Sequence, residues 1–152
     1  MGDQSRELQL LRSGATEFAI FTDDIATIAE WREPTPLPKA PKAVLGVVSV
    51  QGRMLTVFDL AAMSNTAAGP ADGSSALPTH IVALRGDEQL ALAVTAVGET
   101  LVVSNSELNQ PAKEERLVLK VMSRGRLNLR VLDVKELFPA ALQGRERRRR
   151  RF

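Results

Sequence analysis

The chain has 152 residues, 44% of them hydrophobic, with no cysteine and a formal net charge of +2. That length suits one domain or two very small fused units, and the apolar content is enough for a real core. The missing cysteines exclude disulfides, thiol catalysis and Cys-ligated metals, and fit a reducing cytoplasm.

The N-terminal segment Met1–Arg12 is polar and lacks a signal-peptide core, and no apolar run approaches the roughly 20 residues needed to span a bilayer. The charge is unevenly spread. Six arginines and one glutamate fall within 145–151, so the body is slightly acidic and has no general basic face for nucleic acid.

In chain order, apolar spacing predicts β structure. Glu7–Arg12 and Glu17–Thr22 are apolar-rich runs around Ser13-Gly14, a turn signal. Ile25–Trp31 continues the pattern. Pro34, Pro36, Pro38 and Pro41 then forbid a helix interior or a central strand, so 33–41 is an extended connection. Val44–Val50 and Arg53–Phe58 form a hairpin about Gln51-Gly52, where φ > 0 favours glycine. Asp59 is placed to cap a short helical turn running to Met63. The Ser, Ala, Gly and Pro content of 64–79 predicts a surface loop.

Strands resume at His80–Arg85, Gln89–Val94 and Val97–Val103, and polar 104–115 reads as a loop. Leu117–Met122 and Arg126–Leu132 form a second hairpin around Arg124-Gly125. Asp133, with Glu136 three residues later, is a capping-box variant that opens a short helix.

The order repeats. Residues 17–28 align with 89–100 at an offset of 72, and 51–60 align with 124–134 at 73 for the glycine and 74 for the aspartate. Two similar small β-barrels that share a core or swap an element are expected, since a unit of about 60 residues is marginal alone.

Catalytic patterns are weak. His80 is the only histidine and has no second imidazole or thiol beside it in the sequence; a structural place at a strand start suits it better. Asp23-Asp24 fits a turn, because adjacent strand residues point to opposite faces. Asp59 and Asp133 recur as caps, and Gly52 and Gly125 as turn residues without a phosphate-cradling pattern. No enzyme, metal or cofactor is expected. Ile25, Ile28, Val44, Leu45 and Val48 exceed what one small barrel needs inside; they serve the shared core or line a groove for a protein.

The stretch "LPKAPKAVLGVVSVQGRMLTVFDL" (37–60) resembles the CheW-like chemotaxis coupling proteins. Pro38, Pro41, Gly46, Gly52, Asp59 and Leu60 match in order and spacing. "FAIFTDDIATI", "LALAVTAVGETLVV" and "GRLNLRVLDVKELF" resemble the family's other elements, and the likeness covers roughly 7–138. It implies an all-β CheW-like domain over 1–143. Two interlocked five-stranded antiparallel barrels of the SH3/OB kind would form it, with short helices after the Gly-Arg hairpins.

The resemblance also implies a non-catalytic, cytoplasmic adaptor in bacterial signal transduction, recruited to membrane-bound receptor arrays. Its partners would be the regulatory domain of a histidine kinase, pairing barrel to barrel, and chemoreceptor cytoplasmic tips, docking between the barrels. By family position, Ile25, Thr27, Ile28, Gly46 and Gln51 fall at or near partner contacts, and Val97 is the repeat's counterpart of Ile25. The chain departs from the family at Gln51, where an arginine is usual, at Thr27, where an acid is usual, and at Thr95, where an aspartate is frequent.

Residues 144–152 lie outside the pattern and read as a disordered arginine-rich tail. Arg147, Arg148, Arg149, Arg150 and Arg151 are suited to a polyanion: an acidic partner, an anionic membrane or nucleic acid. The alternative function is a small-barrel nucleic-acid-binding protein anchored by that tail, although five Phe and one Trp leave few rings for base stacking.

Overall fold

The computed structural model describes residues 4–59, 77–86, 89–111, 117–136 and 139. Eleven strands are present among them: β1 (Ser5–Ser13), β2 (Thr16–Phe21), β3 (Ile25–Glu30), β4 (Val44–Val50), β5 (Arg53–Asp59), β6 (His80–Leu84), β7 (Leu90–Val94), β8 (Ala96–Ser104), β9 (Leu108–Asn109), β10 (Val118–Arg124) and β11 (Leu127–Leu132). They form two sheets. One has the order β8-β1-β2-β11-β10-β9, the other β3-β6-β7-β5-β4.

Several pairings recur at the spacing of the sequence repeat. The parallel pairing Ala19↔Val131 in the first sheet has its counterpart in Ala91↔Val57 in the second. Hairpin β4–β5 skips a residue between Val44 and Gly46, and β10–β11 skips one between Val118 and Lys120. These bulges lie 74 residues apart, as do the strand-end bonds Asp59 N–H to Ala43 O and Asp133 N–H to Leu117 O, both 2.7 Å.

Turn chemistry explains why the glycines are offset by 73 instead. Both Gln51 (φ 51°) and Gly52 (φ 81°) are left-handed, the type I′ pattern, whereas in the second hairpin only the first turn residue, Gly125 (φ 59°), is. Glycine therefore occupies the second turn position in one hairpin and the first in the other.

The halves exchange elements. The five-stranded sheet is one continuous stretch, β3 to β7. The six-stranded sheet combines the N-terminal hairpin β1–β2 with β8–β11. Each unit thus borrows its leading hairpin from the other half, which is how two small units avoid standing alone.

Apolar side chains divide into three clusters. Val48, Val50, Leu55, Val57, Ile81, Ala83, Ala91 and Ala93 fill one unit. Leu8, Ala19, Phe21, Val103, Met122, Leu129 and Val131 fill the other. The third lies between them and joins Leu11, Phe18, Ile20 and Leu132 of the six-stranded sheet to Phe58, Val82, Leu84, Leu90, Leu92 and Val94 of the five-stranded one. Alternation along β7 sends Ala91 and Ala93 inward and Leu90, Leu92 and Val94 to the shared cluster, so the strand is buried on both faces and reads as one apolar run.

The all-β class matches the sequence expectation, but the expected pair of five-stranded antiparallel barrels is corrected: one sheet has six strands because the returning chain adds β9 at its edge. Each sheet contains one parallel pair, and neither hydrogen-bond ladder closes on itself among the described residues. The chain joins the edges instead. After β3 it returns so that Thr35 pairs with Val47 of β4 through bonds of 2.8 and 2.9 Å. After β8 it returns so that Asn109 pairs with Val121 of β10, again 74 residues on. Arginines seal the seams: Arg32 donates to Ser49 O and Arg124 to Val102 O, each at 2.8 Å.

The expected loop over 104–115 therefore includes a 3₁₀ turn (Asn105–Glu107) and β9. Its polar composition hid this because the pairing uses backbone groups alone. The short helix after Asp133 is a 3₁₀ turn, Val134–Glu136, with Asp133 Oδ1 accepting from Lys135 N–H at 3.1 Å. Asp23-Asp24 lies in a 3₁₀ turn and His80 opens β6, both as expected. The turn expected over 60–63, most of the 64–79 loop and the tail lie outside the described residues.

Candidate protein-docking site

Ile25 and Ile28 reach the same place because a bulge between Ile25 and Thr27 resets β3. Ile25 then stands opposite Leu84 and Ile28 opposite Val82, both in the inter-unit cluster. Val97 comes to that cluster from β8, where the pairing with β1 is also interrupted. All three are half-buried against the shared core, and Val44, Leu117 and Val134 complete the rim. Leu45 and Val48 belong to the interior of one unit. The surplus of apolar residues thus divides between the interior of one unit and the rim of the shared core.

The other candidates do not join the rim. Thr27 stands opposite Ala83, a residue of the unit's inner cluster. Gly46 is buried with φ 144°, and a Cβ there would run into the carbonyl of Thr35. Its role is to let the proline-rich connection lie against β4, so Thr35 and Pro36 cover Gly46. Gln51 is exposed at the tip of the β4–β5 hairpin. Below that tip, Arg32, Glu33, Thr35, Val47, Ser49 and Met54 line a shallow groove of about 250 Å³. Met54 is 56% exposed and had escaped the sequence reading; an apolar residue on the polar side of a strand was its only signal.

Electrostatics stiffen the second unit. Arg124 makes a bidentate pair with Glu107, 2.7 and 2.9 Å, and Ser104 N–H donates to the same carboxylate at 3.0 Å. The arginine bonds first, and the Ser104 amide second, hold Glu107 down to about 2. Because the folded value is depressed, this pair supports the fold fully above the ordinary value of 4.5 and loses that effect as pH falls toward 2. A carboxyl-carbon NMR titration is expected to place the Glu107 midpoint near 2, and Arg124→Ala to return it toward the ordinary range. A normal midpoint in the unaltered protein would refute the pairing. At the junction of the units burial raises Asp24, opposed by Arg6, whose guanidinium lies 3.5 Å from the Phe21 ring centroid.

Residues 7–142 match the model of the CheW-like domain. The chain belongs to the CheW-like family. It is 35% identical over 109 residues to the probable chemotaxis protein CheW of Rhizobium etli, covering 72% of this chain and 68% of that one. To the chemotaxis protein CheW of Rhizobium meliloti it is 34% identical over 110 residues, with the same coverage. The scaffolding protein TtCheW of Thermoanaerobacter tengcongensis shares the CheW-like fold: its crystal structure superposes with a TM-score of 0.76 over 90% of both chains at 14% identity. The exchanged hairpins and the rim at Ile25, Ile28 and Val97 therefore belong to a chain with a CheW-like domain, and these matches lend no support to the nucleic-acid-binding alternative.

Proposed function

We propose that this chain is a cytoplasmic chemotaxis adaptor of 1–143, linking chemoreceptor tips to a histidine kinase without chemistry of its own. The observation that carries the receptor half is the convergence of Ile25, Ile28 and Val97, half-buried, on one core between two rigid units. A helical receptor element laid along that rim would bury the remaining apolar surface, the helix-in-groove mode. The kinase's regulatory domain pairs with the ends of the units; Gln51 and Met54, on the exposed β4–β5 hairpin, are the contacts assigned to it. Thr27 and Gly46 shape these surfaces from beneath. Arg147–Arg151 of the tail add a salt-sensitive contact to an anionic membrane or acidic partner.

The test is a pair of affinities, one for a receptor cytoplasmic fragment and one for the kinase, measured on the same folded protein. Ile25→Ala with Val97→Ala is expected to weaken receptor binding about tenfold and to leave kinase binding unchanged, as loss of an apolar anchor does. Equal receptor affinity in the folded variant would reject this assignment of the groove.

A further inference from the structure

The chain crosses between the units twice, and the second crossing has no slack. β7 ends at Val94, fully buried in the shared core, and β8 begins at Ala96. Thr95 alone makes the passage. Its N–H donates to Arg12 O at 2.8 Å, its hydroxyl donates to the same oxygen at 3.1 Å, and that hydroxyl accepts from Gly14 N–H at 3.0 Å. On the near side, Val94 O accepts from Thr79 N–H at 2.8 Å. The hydroxyl thus ties the crossing to the end of β1 and to the first residue of the β1–β2 turn, using donor and acceptor on one atom. Only serine or threonine offers both at this reach. The other crossing, Thr22–Asp24, is tied by Arg85 N–H to Asp24 O at 2.9 Å and by the exposed Thr22 hydroxyl donating to the Glu7 carboxylate at 3.3 Å, a side-chain partner rather than the backbone of a neighbouring turn.

Two residues past the pin stands Val97, on the rim of the shared core. We propose that Thr95 is a positioning residue for partner docking: its hydroxyl fixes how β8 leaves β7, and so holds Val97 in place relative to Ile25 and Ile28 on the other unit. The proposal rests on the adaptor reading above. Thr95 is half-buried, with its bond to Arg12 O exposed, so loss of the hydroxyl leaves water to satisfy the freed groups and the fold survives, while the angle between the units loosens.

Thr95→Val keeps the shape and the strand preference but removes both hydroxyl bonds; Thr95→Ser keeps them. Because the chain has no cysteine, Met54→Cys and Arg126→Cys place one spin label on each unit of the full-length protein. The unaltered chain and Thr95→Ser are expected to give the same narrow inter-label distance distribution, and Thr95→Val a broader one. In unlabelled proteins, Thr95→Val is expected to bind the receptor fragment about fivefold more weakly, with kinase affinity unchanged, and Thr95→Ser to restore the loss. Equal widths for Thr95→Val and the unaltered chain would overturn the pin. A broadened distribution with undiminished receptor affinity would overturn its part in docking. Failure of the unaltered chain to bind the receptor fragment would instead overturn the adaptor reading, and the distance widths would still decide whether Thr95 holds the units.

Discussion

Phe58→Ala is expected to cost about 3–5 kcal/mol and to unfold both sheets in one transition. Phe58 is fully buried, sits at the end of β5 and belongs to the cluster between the units, where its companions include Phe18 and Ile20 of the other sheet. Truncation removes a ring from a cluster to which strands of both sheets contribute, so neither wall collapses without disturbing the other. Exchange of the leading hairpins adds a chain-level reason: each sheet contains strands from both halves. Urea unfolding followed by circular dichroism, with residue-level NMR signals from β7 and β11 as separate probes, should give coincident transitions, shifted together in the variant. If β7 melted while β11 held, the single cooperative unit would be disproved.

Gly46→Ala is expected to destabilise by about 3 kcal/mol, far more than a buried Gly-to-Ala change where the backbone is relaxed. Two penalties combine. The φ of 144° is one that an L side chain rarely adopts, and a Cβ would collide with the backbone carbonyl of Thr35, which has no rotamer with which to retreat. Relief requires the connection to lift, breaking both Thr35–Val47 bonds and opening the seam where β4 would otherwise show an unpaired edge. The equivalent position in the second hairpin, Lys120, is not glycine, and there the returning chain pairs through Leu108 and Asn109. Amide exchange at Val47 is expected to accelerate in Gly46→Ala while exchange at Val121 stays slow. Protection of Val47 in the variant would show that the connection does not depend on that glycine.

The rim proposed for docking was only partly legible in the sequence. Ile25 and Ile28 stood out as apolar residues beyond the needs of one barrel, and Val97 as the repeat counterpart of Ile25. That they face one core depends on bulges in β3 and at the β1–β8 pairing, which change facing by a single residue and leave no composition signal. Thr27 and Gly46 took their places in the motif without revealing that one lies toward an inner cluster and the other beneath Thr35. Thr95 was visible as a departure from the family pattern; its bonds to Arg12 and Gly14 were not, since those partners lie more than eighty residues away.

Local chemistry wrote the strands, the two tight hairpin turns, the aspartate at the second strand end and the 72–74 repeat, because side-chain alternation and turn residues act over a few positions. It also wrote the all-β class and the family resemblance. Which half supplies which hairpin, how β6 and β7 divide their side chains between two cores, and how Thr35, Asn109 and Arg124 join the sheet edges were decided only in three dimensions. The two halves carry nearly the same pattern, so a hairpin satisfies its own half's strands as well as the other's by sequence alone. The choice falls to the exchanged arrangement because it places a shared apolar layer between two units too small to stand apart.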